Sequence, residues 1–322
     1  MMSVRDFREK QILFVLLEAG EKISFKNDNI VIKNSDDTIK HQSTCYLLFA
    51  LFISGHLCLT SGILERAKRF GFSIVLMTYT MRVYAILPSA AEGNVLLRKR
   101  QYAYDSFELG AYIVSNKIHN QQSVLKQIRE KSEQARTVIE LLEELKKTVR
   151  NSALSLQEIM GTEGVASKLY FSAVFEEHNW TARRPRVKHD MANCLLDIGY
   201  SLLFNLVHGL IELYGFDAYV GVLHRQFYHR KSLVCDLVEP FRPIIDSTLR
   251  KALNLGQCHT ADFSVAQGQY FIVGKKAAPY IQLFIKNLLE YREELFLYIQ
   301  SYYRAFMREK AVSEFPFASF EK

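Results

Sequence analysis

No run in the 322-residue sequence reaches the ~18 consecutive apolar positions that mark a membrane-crossing helix. The longest oily stretch, residues 45–53, has the length of a buried strand or a piece of core helix, so no membrane partner is expected. Cysteine is sparse. Cys45, Cys58, Cys194, Cys235 and Cys258 are scattered, odd in number, and form no CxxC pair. This excludes a disulfide-stapled miniature and a structural zinc knuckle, and leads to the expectation of a reducing, cytoplasmic compartment. The opening residues, MMSVRDFREK, lack the apolar core of a secretory signal. With only 6 prolines and 15 glycines, a collagen-like or disordered chain is excluded as well.

What remains is a globular composition, 49% hydrophobic and 23% charged, long enough for roughly two domains. Lysine and arginine number 41 against 34 acids, a formal net charge of +7 that favours an anionic partner without naming one.

The first ninety or so residues read as mostly strand. Residues 11–17 are apolar and rich in β-formers. Ile23/Phe25 and Ile30/Ile32 alternate on either side of Asn27-Asp28-Asn29, the pattern of a hairpin, and Asn34-Ser35-Asp36-Asp37 predicts another turn. One helix interrupts them, with Ser61 as its cap, Ile63, Leu64 and Ala67 on its inner face, and Gly71 as its stop. Strands over 73–77 and 83–87 follow. Pro88-Ser89-Ala90-Ala91-Glu92-Gly93 then punctuates the chain, and the apolar period changes from two to about 3.6. Residues 136–150, 193–214 and 279–310 each carry an apolar stripe at helical spacing. The expected class is therefore α+β, a β-rich domain over 1–93 followed by a larger helical domain over 94–322.

Three local patterns bear chemistry: Gly161-Thr162-Glu163-Gly164; Gly221-Val222-Leu223-His224; and the run from Ser232 through Asp236, Glu239, Pro240, Arg242 and Pro243 to Asp246. Asp236 and Glu239 are three apart and share a helix face, where like charges repel unless a cation intervenes. Arg242 would serve, and so would a metal ion. Oxygen ligands suit Mg²⁺ or Mn²⁺, and a histidine tilts the set toward Mn²⁺ or another transition metal. Prolines at 240 and 243 predict a bend or helix end close to Glu239. Taken singly, each pattern is ordinary: an acidic pair is usually a solvated face, and a lone histidine a polar group at a core edge.

Together and in this order, these residues resemble the CRISPR-associated integrase family Cas-one. The resemblance rests on Gly-x-Glu-Gly followed by Tyr170-Phe171, on Arg184-Pro185 leading to Asn193 and Gly199-Tyr200, and on Gly-x-x-His followed by Ser-Leu-Val-x-Asp-Leu-x-Glu-Pro-Phe-Arg-Pro. Ser54-Gly55-His56 through Thr60-Ser61-Gly62, and Arg98-Lys99-Arg100-Gln101-Tyr102, extend it over nearly the whole chain. Within the family, the chain looks closest to integrases that accompany single-effector Cas-twelve systems.

The resemblance implies a homodimer paired through the β domains. It also implies assembly with a Cas-two dimer and double-stranded DNA as substrate, both captured fragment and CRISPR repeat, and leaves open whether an end-processing nuclease takes part. It implies a metal-dependent endonuclease and integrase that joins 3′-hydroxyl ends into the repeat. Glu163, His224 and Glu239 correspond to the family's metal ligands, and Asp236 to the additional catalytic acid. Whether Asp236 holds a second ion, accepts a proton or orients a ligand stays open here. Lys168, Tyr170, Arg183, Arg184, Arg186, Lys188, Arg230, Lys231 and Arg242 are candidate DNA contacts, with a core role for Tyr170 as the alternative. A general nuclease on the same scaffold and a catalytically silent DNA-binding scaffold are the competing functions.

Overall fold

The computed structural model describes residues 3–88, 94–151, 153–178, 180–224 and 228–320. The chain opens with a short helix, α1 (Val4–Arg8), whose cap Ser3 accepts the Asp6 N–H while the Asp6 carboxylate accepts from Ser3. Strands β1 (Gln11–Leu16), β2 (Lys22–Lys26), β3 (Asn29–Lys33), β4 (Ile39–Thr44) and β5 (Leu48–Ser54) come next, then α2 (Ser61–Phe70), β6 (Ser73–Met77) and β7 (Val83–Leu87).

Two sheets form, in the orders β1-β5-β6-β7 and β2-β3-β4. In the first, β5 runs parallel to both β1 and β6, while β7 returns antiparallel. Lying between two partners and covered on both faces, β5 is buried at every residue, which is why it reads as one apolar run rather than an alternation. Ala50, Phe52, Val75 and Met77 face the helices, whereas Leu51, Ile53, Ile74 and Leu76 face α2 and the second sheet. The β2–β3 hairpin turns on Asn27 and Asp28, both with positive φ, the geometry that suits the twist of the strands.

The expected α2 is present and stops at Gly71, in the left-handed region at φ 69. Two details differ. Thr60, not Ser61, occupies the cap position, without a side-chain hydrogen bond. Leu64 is 42% exposed, because the buried stripe of this short helix is only as wide as Ile63 and Ala67.

The remainder is helical: α3 (Val95–Ala103), α4 (Glu108–Lys126), α5 (Glu133–Asn151), α6 (Leu156–Val174), α7 (Met191–Glu212), α8 (Ser232–Val238) and α9 (Arg242–Asn254). A small hairpin, β8 (Ser264–Ala266) and β9 (Gln269–Phe271), interrupts the helices where none was expected, turning on Gln267 and Gly268 at positive φ. The stripe over 279–310 divides at Tyr291 into α10 (Ala278–Glu290) and α11 (Arg292–Met307). Its apolar positions stay in phase across the break, so periodicity alone does not reveal it. Glu293 and Glu294 in the first turn of α11 favour a new helix start there.

α7 is long and apolar enough to cross a membrane, but 78% of its most apolar window is buried inside the protein, as befits a core helix. The segment 89–93, where the sequence suggests a domain boundary, lies outside the described residues. Across that junction the two regions share one core. Phe7 stacks on Phe296 at 4.7 Å and meets Phe49 edge-on at 5.0 Å, and Arg8 pairs with Glu293 at 2.6 Å.

Candidate active site

The site is organised around α4, which is buried along nearly its whole length yet carries Asn116, Lys117, Asn120, Gln121 and Gln122. Buried amides must find partners. Asn116 exchanges two bonds with the backbone of Ala318, and Asn120 donates to the Pro240 carbonyl at 2.9 Å. The second bond holds the break between α8 and α9 against α4. As the prolines suggested, α8 ends at Val238 and a single tight turn over Glu239–Phe241 leads into α9.

That turn places Glu239, 4% exposed, beside Lys117, whose Nζ lies 2.6 Å from Glu239 Oε2. The same ammonium hydrogen-bonds Glu163 Oε1 on α6, which also accepts from the Ser167 hydroxyl at 2.9 Å. Arg242 Nε sits 3.0 Å from Glu239 Oε1. Burial alone would raise the Glu239 carboxyl, but Arg242 and Lys117 outweigh it and hold its pKa down to about 2. For Lys117, burial works against the charged form, and the two carboxylates overcome it, so its pKa is raised. Two acids from separate helices thus converge on one cation.

Asp236 and Glu239 do not form the repelling pair that their spacing suggested. Asp236 is fully buried and turned toward the 221–224 loop. Its carboxylate accepts N–H bonds from Val222 at 2.6 Å, Leu223 at 3.0 Å and His224 at 2.9 Å, and its Oδ1 lies 2.7 Å from His224 Nδ1. Gly221 makes this wrap possible: a Cβ there would overlap Asp236 Oδ2 and lie 2.8 Å from the Ser232 carbonyl carbon. Gly199 has a similar role on α7, where a Cβ would come within 2.5 Å of Ile245 Cγ2.

A cleft of about 1070 Å³ opens between β7 and the helical region. Arg82, Arg183, Arg186, Lys188, Arg230, Lys231 and Arg242 line it, with Asp197 as its acid. Arg242 therefore belongs to both the cleft and the acid cluster. Arg183 pairs with Asp197 at 2.5 Å and bonds Asn193 at 2.9 Å, and it lies with Arg242 over the Tyr200 ring. Lys168 and Arg184 are exposed but lie outside the cleft lining. Tyr170 is not the expected DNA contact: it is completely buried and cannot touch a DNA strand from there, so its role is packing.

Among the described residues, no three His, Cys, Asp or Glu side chains close around one metal position as placed. The donor chemistry nevertheless fits a divalent ion. Two carboxylates, Glu163 and Glu239, already share a cation, and His224 is near enough to Glu239 to lower its pKa. Lys117 escaped the sequence reading. The signal was present in Asn116, Lys117, Asn120 and Gln121, polar residues that fall on one side of a helix at helical spacing.

The family model described as CRISPR associated protein Cas1 matches residues 14–286. The CRISPR-associated endonuclease Cas1 1 of Thermodesulfovibrio yellowstonii is 31% identical over 219 residues, 63% of this chain and 69% of that relative. The solved CAS1 protein from Thermotoga maritima superposes with a TM-score of 0.81 at 20% identity, covering 96% of this chain and 99% of that one. A chain of a Cas6-RT-Cas1–Cas2 complex superposes with a TM-score of 0.80 at 21% identity, covering 98% of this chain but 36% of the other. With an N-terminal sheet, a helical second half and a family match over most of its length, this chain belongs to the CRISPR-associated Cas1 family.

Proposed function

We propose that the chain is a metal-dependent DNA endonuclease and integrase of CRISPR adaptation, joining 3′-hydroxyl ends of captured fragments into the repeat by transesterification. The observation that carries this reading is the convergence of Glu163 and Glu239, from α6 and the α8–α9 turn, on one cation position that shares Arg242 with a basic cleft. Glu163, Glu239 and His224 would hold Mg²⁺ or Mn²⁺. When bound, the ion supplies Lewis acidity at a phosphate and lowers the pKa of an attacking hydroxyl or water.

The protein's own groups do the rest. Asp236 accepts from His224 Nδ1, so in the neutral ring Nε2 is the nitrogen that carries the lone pair. Of the three roles open to Asp236, orientation is the one its bonding favours. Arg186, Lys188, Arg230 and Lys231 supply positive charge along the cleft for a phosphate backbone. A 3′-hydroxyl nucleophile gives strand joining and water gives cleavage, so the bound end decides the product. We further propose that the protein works as a homodimer with a Cas2 dimer. The likeness in fold to a chain from a solved Cas6-RT-Cas1–Cas2 complex supports the pairing with Cas2, and the homodimer rests on the family resemblance.

Strand transfer tests the reading. A short duplex with 3′-hydroxyls and a supercoiled plasmid bearing a repeat array are incubated with the protein, with and without Cas2, in Mg²⁺, Mn²⁺ or EDTA. Metal-dependent branched products that Glu239→Ala loses are expected. Metal-dependent nicking without joining moves the assignment to a general nuclease, and salt-sensitive DNA binding with no reaction moves it to a scaffold.

A further inference from the structure

We propose that Lys117 is a built-in counter-ion that makes metal loading at the acid cluster depend on the arrival of DNA. The inference rests on the metal-centre reading above and assigns a coupling role to a residue outside the ligand set.

Lys117 is enclosed, with 8% of its side chain exposed. Its ammonium sits between Glu163 Oε1 and Glu239 Oε2, where a dication would be shared, while Arg242 pairs with the other Glu239 oxygen. Glu163 and Glu239 therefore face two cations, with Asp246 a further acid within electrostatic reach of both, and much of the acids' charge is neutralised without any metal. A dication entering this cluster meets two positive side chains and leaves an excess of positive charge in a poorly screened setting, which is unfavourable. A phosphodiester brings the missing negative charge.

Lys117 cannot be diluted into solvent to relieve the conflict. It lies mid-helix on α4, anchored on either side by the bonds of Asn116 to Ala318 and of Asn120 to Pro240. Arg242 is less confined, with 32% of its side chain exposed at the cleft. Hence metal and DNA each reduce the cost of admitting the other, and the coupling is reciprocal. A lysine that merely neutralised buried acids would stabilise the fold without linking the two ligands.

The test is Mn²⁺ titration of the full chain, with free ion read by electron paramagnetic resonance, in the presence and absence of a short duplex. Wild type, Lys117→Met and Glu239→Gln are compared. DNA is expected to tighten Mn²⁺ binding by about ten-fold in wild type, within the usual range for coupled sites. In Lys117→Met, Mn²⁺ alone binds about ten-fold tighter and the DNA effect shrinks to within about two-fold, as expected when one close positive charge is removed. Lys117→Gln, equally neutral, gives the same reading if the methionine variant does not fold. A DNA effect that persists unchanged in the neutral variants overturns the inference, and so does Mn²⁺ affinity in wild type that ignores DNA. If Glu239→Gln keeps full Mn²⁺ affinity, the metal-centre reading itself falls and takes this inference with it. If Glu239→Gln loses the ion while the lysine variants behave as wild type, only the role of Lys117 is lost.

Discussion

His224 Nδ1 lies 2.7 Å from Oδ1 of Asp236, a carboxylate that also accepts the N–H groups of Val222, Leu223 and His224 itself. One buried acid therefore fixes both the loop that carries the histidine and the orientation of its ring. Asp236→Asn keeps the shape but cannot accept from all four donors. Loss of such a supporting partner is expected to weaken Mn²⁺ binding by about 10–100-fold. Asp236→Ala should in addition lower unfolding stability by about 3 kcal/mol or more, since several bonds to a charged acceptor disappear together. Mn²⁺ titration and urea denaturation check the pair; an Asn variant that binds Mn²⁺ like wild type would show that the ring needs no such support.

Glu239 is the acid with most to lose. Glu239→Gln leaves Arg242 without its carboxylate partner and Lys117 with Glu163 alone. Breaking a buried pair by removing one member costs about 3–5 kcal/mol, because the stranded charge stays buried. A drop of that order in metal-free urea denaturation is expected, alongside loss of strand transfer. Full stability in the variant would mean that the two cations are solvated rather than enclosed.

How much of this was legible follows from which interactions are local in sequence. The hairpin at Asn27-Asp28 and the stop at Gly71 are written in turn residues, and the helix break beside Glu239 in adjacent prolines. The motif residues could be picked out because each lies in a short, distinctive string. Their partners are another matter. Lys117 meets Glu163 and Glu239 only after α4, α6 and the α8–α9 turn have packed, and nothing near it in the chain is acidic. Likewise Tyr170 and Lys168 sit two positions apart on one helix, and only its packing decides that one is buried and the other exposed. The break at Tyr291 stayed hidden because the apolar stripe continues in phase from Leu288 to Leu295.

Packing at Gly199 can be tested alone. Ile245 Cγ2 would lie 2.5 Å and Phe284 Cε1 3.1 Å from a new Cβ. Both neighbours are buried, so room for a new Cβ has to come from a shift within the packed core. Gly199→Ala should therefore cost about 1–3 kcal/mol through overpacking, read as a lower urea midpoint with an unchanged slope. A neutral or stabilising result would show that α7 shifts to make room.

Asp246 and Glu239 give opposite pH responses. Burial is the main reason the Asp246 carboxyl rises from its ordinary 3.8 to about 6, despite the Tyr200 hydroxyl and the Arg242 charge. Between those two values the folded protein holds a proton that the unfolded chain has released, so stability falls as pH rises through that window, by about 3 kcal/mol in all. Glu239, lowered from 4.5 to about 2, contributes stability that is present above pH 4.5 and lost as pH falls toward 2. Urea denaturation across pH 4–7 is expected to show the decline in wild type and a flatter profile in Asp246→Asn. Parallel profiles for the two proteins would remove Asp246 as its source.

The basic cleft separates residues that meet DNA from residues that build the fold. Arg186 and Lys188 line it on a loop where both adopt positive φ, and neither is fully buried. Replacing either with alanine should lower the slope of log affinity against log salt by about 0.9, the value for one phosphate contact, with little change in melting temperature. Arg183 lines the same cleft, yet its guanidinium is committed to Asp197 and Asn193. Arg183→Ala should therefore reduce stability as well as affinity. Arg184 is exposed and lies outside the lining, so Arg184→Ala should leave the salt slope unchanged. Fluorescence anisotropy with a labelled duplex over a salt series, paired with thermal melts, distinguishes the three behaviours. Equal slope losses at Arg184 and Arg186 would mean that DNA follows the outer surface of the loop instead of the cleft.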